Sequence, residues 1–184
     1  DCDVTNNVAT GDGGGIYGAT TSIVDSDVTG NSASGTGGGI SAGAASITRT
    51  NIEENTAGGN GGGLYGVSGE VTRCLIRENT TSYDGGGFST CTGNIINNLI
   101  LDNYAGDRGG AIHDCDVYIF HNTIVKNEAY TKGGALRGCS GTPCKIRNNI
   151  IWLNYSPNGA NHLSNCEDPK YCCIGPSYGG GGYK

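Results

Sequence analysis

The chain has 184 residues, of which 35 are Gly and only 15% are charged, with a net charge of −6, four Pro and no Met. Glycine at this density disfavours a helical bundle, since each Gly inside a helix costs about 1 kcal/mol relative to Ala, and scarce Pro without Gly-X-Y spacing excludes collagen. The acidic balance argues against a nucleic-acid partner, no apolar run approaches the roughly 18 residues of a membrane span, and the regular recurrence of Ile, Val and Leu argues against disorder.

The chain opens at Asp1 without a Met, which reads as a processed protein or a fragment. Its first unit sets a pattern: Val4, then Asn7, then Gly13-Gly14-Gly15-Ile16, then Ile23. The glycine motif returns as Gly37-Gly38-Gly39-Ile40, Gly61-Gly62-Gly63-Leu64, Gly85-Gly86-Gly87-Phe88, Gly109-Gly110-Ala111-Ile112 and Gly133-Gly134-Ala135-Leu136, and the interval from Ile16 to Ile40 is repeated unchanged down to Leu136. Asn7, Asn31, Asn55, Asn79, Asn103 and Asn127 keep the same interval, each three residues after Val4, Val28, Ile52, Ile76, Ile100 or Ile124. Ile23, Ile47, Val71, Ile95 and Ile119 form a third column, and Ala9, Ala33, Ala57, Ala105 and Ala129 a fourth of small residues. After Leu136 the register slips by three across Cys139-Ser140-Gly141-Thr142-Pro143-Cys144 and resumes at Ile146, Ile151, Asn154 and Leu163.

Each unit holds three short β-like runs between polar or glycine turns, with no helical period. Repeats of this kind are the signature of a solenoid. The fold read from them is an all-β parallel β-helix of about seven 24-residue rungs over residues 1–163, followed by an irregular Cys- and Gly-rich tail, 164–184. Stacked at the inter-strand spacing of about 4.8 Å, seven rungs make a rod about 35 Å long. The aliphatic columns should point inward. The Asn column, including Asn154, should form a ladder whose amides satisfy turn backbone that would otherwise be buried unpaired. Asn79-Thr80-Thr81 and Asn154-Tyr155-Ser156 match the glycosylation sequon, but as ladder members neither Asn is expected to be modified.

The pairing of Gly-Gly-Ala-Ile/Leu with an aliphatic-x-x-Asn motif, as in Gly109-Gly110-Ala111-Ile112 with Ile124-Val125-Lys126-Asn127, resembles the repeats of chlamydial polymorphic outer-membrane proteins. More broadly it resembles the right-handed β-helix repeats of large secreted bacterial surface proteins. The resemblance covers about residues 1–165, and Asn148-Asn149-Ile150-Ile151-Trp152-Leu153-Asn154 is similar to the closing rungs of such proteins. Family members continue past a segment similar to Tyr171-Cys172-Cys173-Ile174-Gly175. The resemblance implies an exported, adhesin-like surface β-helix with right-handed coiling, and implies no particular ligand, because the repeat is a scaffold feature.

Nine cysteines fit an oxidising, extracytoplasmic setting with at least one thiol left over. Cys91, Cys115 and Cys139 are one rung apart. The expected pairs are Cys91–Cys115 and Cys139–Cys144, with Cys166 joined to Cys172 or Cys173; the competing expectation is a ladder of buried thiols. Spacings for tetrahedral zinc are missing. On the strand before the Asn, outward positions change from Asp27, Thr29, Asn51 and Glu53 to Leu99, Leu101, Val125, Ile150 and Trp152, with Ile96 and Phe120 beside them. A strand apolar on both faces is normally covered on both. Either the tail folds over this surface or it meets another subunit or a missing part of the same polypeptide.

Catalysis needs clustered groups, but the acidic residues are scattered, and His113, Asp114, His121 and Arg137 share two neighbouring rungs without a paired carboxylate. No catalytic residue, metal site or cofactor is expected. The functional expectation is an extracellular structural or adhesive surface module that self-associates end to end or side by side into a filament or layer. The alternative is a polysaccharide-active enzyme or a β-helix that binds a surface polysaccharide.

Overall fold

A computed structural model describes residues 2–43, 45–142, 144–158 and 162–176. The described residues form 27 short strands and no helix, arranged in four parallel sheets that wrap a single apolar column. Sheet one holds Asp3–Thr5, Asp27–Thr29, Asn51–Glu53, Leu75–Arg77, Leu99–Leu101, Thr123–Val125, Ile150–Trp152 and Cys173–Ile174. Sheet two has six two-residue strands, from Val8–Ala9 to Glu128–Ala129. Sheet three runs from Ile16–Ala19 to Leu163–Ser164 in seven strands, and sheet four from Ile23–Val24 to Lys145–Arg147 in six. Every pair is in register one rung apart, as in Val4↔Val28, Ile16↔Ile40 and Ile23↔Ile47. The chain is a parallel β-solenoid of about seven turns. Each full rung carries four strands, because the pair of residues after each ladder Asn also hydrogen-bonds to its neighbours.

The inward columns match the sequence period. Val28, Ile52, Ile76, Ile100, Ile124 and Ile151 point in from sheet one, Ile40, Leu64, Phe88, Ile112 and Leu136 from sheet three, and Ile47, Val71, Ile95, Ile119 and Ile146 from sheet four, all essentially inaccessible to water. Burying one such side chain contributes about 1.5–3 kcal/mol. Sheet two contributes only Ala33, Ala57, Ala105 and Ala129 to the interior, because its short wall lies nearest the ladder. Thr81 stands where the Ala column is interrupted; its hydroxyl donates to the Gly59 carbonyl, so the substitution leaves no unpaired group.

The glycine turn has two separate requirements. Gly37 adopts φ 65°, a left-handed conformation that glycine reaches without a Cβ penalty. Gly38 instead passes so close to the next rung that a Cβ would sit 2.5 Å from the Gly62 carbonyl oxygen.

Stacking does not stop at residue 163. Ser164 pairs with Arg137, Lys170 bridges to Arg147, and Cys173 and Ile174 pair with Ile150 and Ile151. The described part of the segment set apart as a tail is thus added beneath the seventh rung rather than laid across the outer face. Residues 177–184, with the Gly179–Gly182 run, lie outside the described residues.

Candidate functional site

Two corners of each rung, and a third in the lower rungs, are built alike. A residue in the left-handed region reverses the chain, and the next side chain turns inward to cap the backbone it exposes. The corner between sheets one and two uses Asn6, Gly30, Glu54, Glu78, Asp102, Lys126 and Leu153 at positive φ, followed in every case by a ladder Asn. Along Asn7, Asn31, Asn55, Asn79, Asn103, Asn127 and Asn154, each Nδ2 donates to the next Oδ1 at 2.9–3.0 Å. Each Oδ1 also accepts the backbone N–H of the Asn above, as Asn79 does from Asn55 at 3.1 Å. The second Nδ2 hydrogen reaches back to a sheet-one carbonyl, as from Asn79 to Ile52 at 2.8 Å. The ladder ends on His162, whose Nδ1 lies 3.4 Å from Asn154 Nδ2.

A second column, between sheets four and one, has no single residue type: Cys2, Ser26, Thr50, Cys74, Asn98, Asn122, Asn149 and Cys172. Asn98, Asn122 and Asn149 form a second amide ladder with Nδ2 to Oδ1 distances of 3.1 Å. The hydroxyls and thiols above and below bend back instead to the carbonyl two residues earlier, Ser26 to Val24 at 2.9 Å, Thr50 to Thr48 at 3.1 Å and Cys74 to Thr72 at 3.2 Å. Burial pushes the Cys74 thiol up to about 11.

The third column, after sheet three, places Cys91, Cys115, Cys139 and Cys166 in successive rungs. Each thiol makes the same two-residue back bond, to Ser89, His113, Arg137 and Ser164 respectively. Cys91 N–H also donates to Cys115 Sγ at 3.2 Å, the sulfur standing where a ladder amide oxygen would. All nine cysteines are thiols in this structure. Cys166 lies beneath Cys139, whereas Cys172 belongs to the corner column headed by Cys2 and Cys173 opens the last sheet-one strand. Cys144 lies beside Cys139 and donates to its carbonyl at 3.0 Å; burial pushes its thiol up to about 12.

The outer surface divides in two. Over the upper, N-terminal rungs it is polar: Arg49 forms a forked pair with Asp25 at 2.6 and 2.7 Å, and Arg77 pairs with Glu53 at 2.6 Å. The Arg49 hydrogen bond and charge hold the Asp25 carboxyl below its usual value. Over the lower rungs Leu99, Ile150 and Trp152 are 41%, 47% and 36% exposed. Leu101 and Val125 lie half-buried between them, and Ile96 and Phe120 are half-buried on sheet four. Tyr118 stacks on Phe120 with ring centroids 5.4 Å apart and extends the patch. Trp152 is partly covered by Gly175, where a methyl group would overlap its ring.

One polar cluster joins residues far apart in sequence. His113 Nε2 lies 3.7 Å from Asp84 Oδ2, its Nδ1 lies 3.7 Å from Asp114 Oδ2, and the imidazole is 8% exposed. Burial depresses the His113 pKa, Arg108 and Arg137 add to this, and the two carboxylates oppose it. Arg137 Nε is buried without a hydrogen-bond partner among the described residues. Both imidazole–carboxylate separations exceed a hydrogen bond. No group of three His, Cys, Asp or Glu among the described residues is placed to hold a metal ion.

The fold and its ladders define a repeat protein of the β-solenoid class. Residues 1–19 match the Chlamydia polymorphic membrane protein repeat, so the chain carries at least one repeat similar to those of that family. No curated protein and no solved structure matches the chain.

Proposed function

We propose that the chain is a structural or adhesive module of a cell surface, and that it associates side by side with a second copy through the lower outer face of sheets one and four. The observation that carries this reading is the exposed Leu99–Ile150–Trp152 face, a row of large apolar side chains with no described part of the chain laid over Leu99 or Ile150. Contiguous exposed apolar surface of this kind marks an interaction site. The similarity of the first repeat to a surface-protein family supports an exported location.

Sedimentation velocity over a hundredfold concentration range tests the side-by-side contact. The chain should associate reversibly, and Leu99→Asp/Ile150→Asp should remain monomeric with an unchanged melting temperature. Monomers throughout, or equal association by the variant, overturn the reading.

A further inference from the structure

We propose that the third corner column contains two binding sites for a soft, thiophilic monovalent cation such as Cu(I) or Ag(I), one between Cys91 and Cys115 and one between Cys139 and Cys166. The column has in-register neighbours above and below, Phe88↔Ile112 and Leu136↔Leu163, so each cysteine stands one rung from the next. Side chains repeated by the solenoid set their sulfurs roughly one inter-strand spacing, about 4.8 Å, apart. Two metal–thiolate bonds of about 2.3 Å laid end to end span about 4.6 Å. A linear ion therefore fits between two rungs without moving the backbone, whereas a disulfide would require the sulfurs to approach to about 2 Å.

The donor set also selects the ion. Thiolate sulfur favours soft metals, and the absence of a third ligating side chain among the described residues excludes a tetrahedral zinc site. The four thiols stand in a line and make the same back bond. With each sulfur serving one ion, they divide into neighbouring pairs with none left over in one way, 91/115 and 139/166, which makes two sites rather than a continuous chain. In each pair one thiol gives up its proton and the other keeps it. The arriving cation displaces that single proton to solvent and binds one sulfur as thiolate and the other as thiol. The charge of the site is unchanged, so no net charge is buried, which would be costly in an apolar interior. Cys166 is the one partly accessible member, so the 139/166 site fills first.

The test uses the full chain, reduced and kept free of oxygen, titrated with Ag(I) and with Cu(I) delivered from a weak chelator, and read by native mass spectrometry. Two ions should be retained. Cys2→Ser/Cys173→Ser, which removes the two exposed thiols, should still retain two; Cys115→Ser and Cys166→Ser should each retain one. Binding should release one proton per ion and tighten about tenfold per pH unit. X-ray absorption should show two sulfur neighbours. Serine already fills the equivalent place of another corner, at Ser26, and matching thermal melts confirm folding of each variant. Unchanged stoichiometry in both single-site variants, loss of ions with Cys2→Ser/Cys173→Ser, or three or more sulfur neighbours overturns the proposal. So does a chain purified in air that holds Cys91–Cys115 or Cys139–Cys166 as disulfides resistant to mild reductant.

Discussion

The upper and lower halves of sheet one have the same inside and different outsides. Val28 and Ile52 above, and Ile124 and Ile151 below, are buried to the same extent in the same column. Outside, the upper strands carry Asp27, Asn51 and the Arg49 and Arg77 ion pairs, and the lower strands carry Leu99, Val125, Ile150 and Trp152. Because the shared interior accounts for folding in both halves, the outer difference is not needed to build the rung, and this is the argument for assigning it to association. Exposed ion pairs contribute little, so the polar outside is not there to compensate for a weaker core.

The comparison can be broken most sharply from inside. Ile52→Ala and Ile124→Ala should each cost about 2–5 kcal/mol in urea unfolding, with values alike in both halves; a much smaller loss for Ile124 would mean that the lower core is looser. The ladders give the next effect. Asn98→Ala leaves the buried Cys74 N–H without a partner and removes the amide bond to the Val71 carbonyl, and should cost about 3 kcal/mol, whereas Thr50→Ala in the same column removes one hydroxyl bond and should cost about 1 kcal/mol.

Acid should then separate the halves. All three His lie in the lower rungs, and burial lowers the pKa of His113 and His162. The unfolded chain binds protons that the folded one refuses, so stability falls as pH drops through and below the unfolded value of about 6.5, by at most about 1.4 kcal/mol per pH unit for each imidazole. Hydrogen exchange at pH 5 should show the lower rungs opening before the upper ones, and His113→Gln should flatten the dependence. The smallest stability effects belong to the outer face: Leu99→Asp should change unfolding by less than about 1 kcal/mol while removing association, and Arg49→Ala should change neither.

Much of this was legible in the sequence, and the reason is geometric. Stacking turns a fixed interval along the chain into contact, so the aliphatic columns and the first Asn ladder could be read directly from Val4, Asn7, Ile16 and Ile23 onward. The second ladder was missed because its column opens with Cys2, Ser26, Thr50 and Cys74; the spacing of Asn98 and Asn122 was visible, but four residue types can cap the same corner. Cys166 under Cys139 was hidden by the slip, which takes the two off the period that links Cys91, Cys115 and Cys139. The Asp84–His113 contact also falls off the period, since the glycine turn of one rung overhangs the outward side of the next strand. The outer apolar patch was legible as a change in composition; the placement of the tail beneath the rod was not, because its few stacked residues carry no period.

The three residues added between Cys139 and Cys144 lengthen one turn and disturb no wall: Ile119 still pairs with Ile146, and Leu136 with Leu163. Rung height is therefore set by the backbone ladder and not by the number of residues in a turn. That corner is a grafting point, where a loop or a whole foreign segment can be spliced into the coil while every rung on either side keeps its alignment.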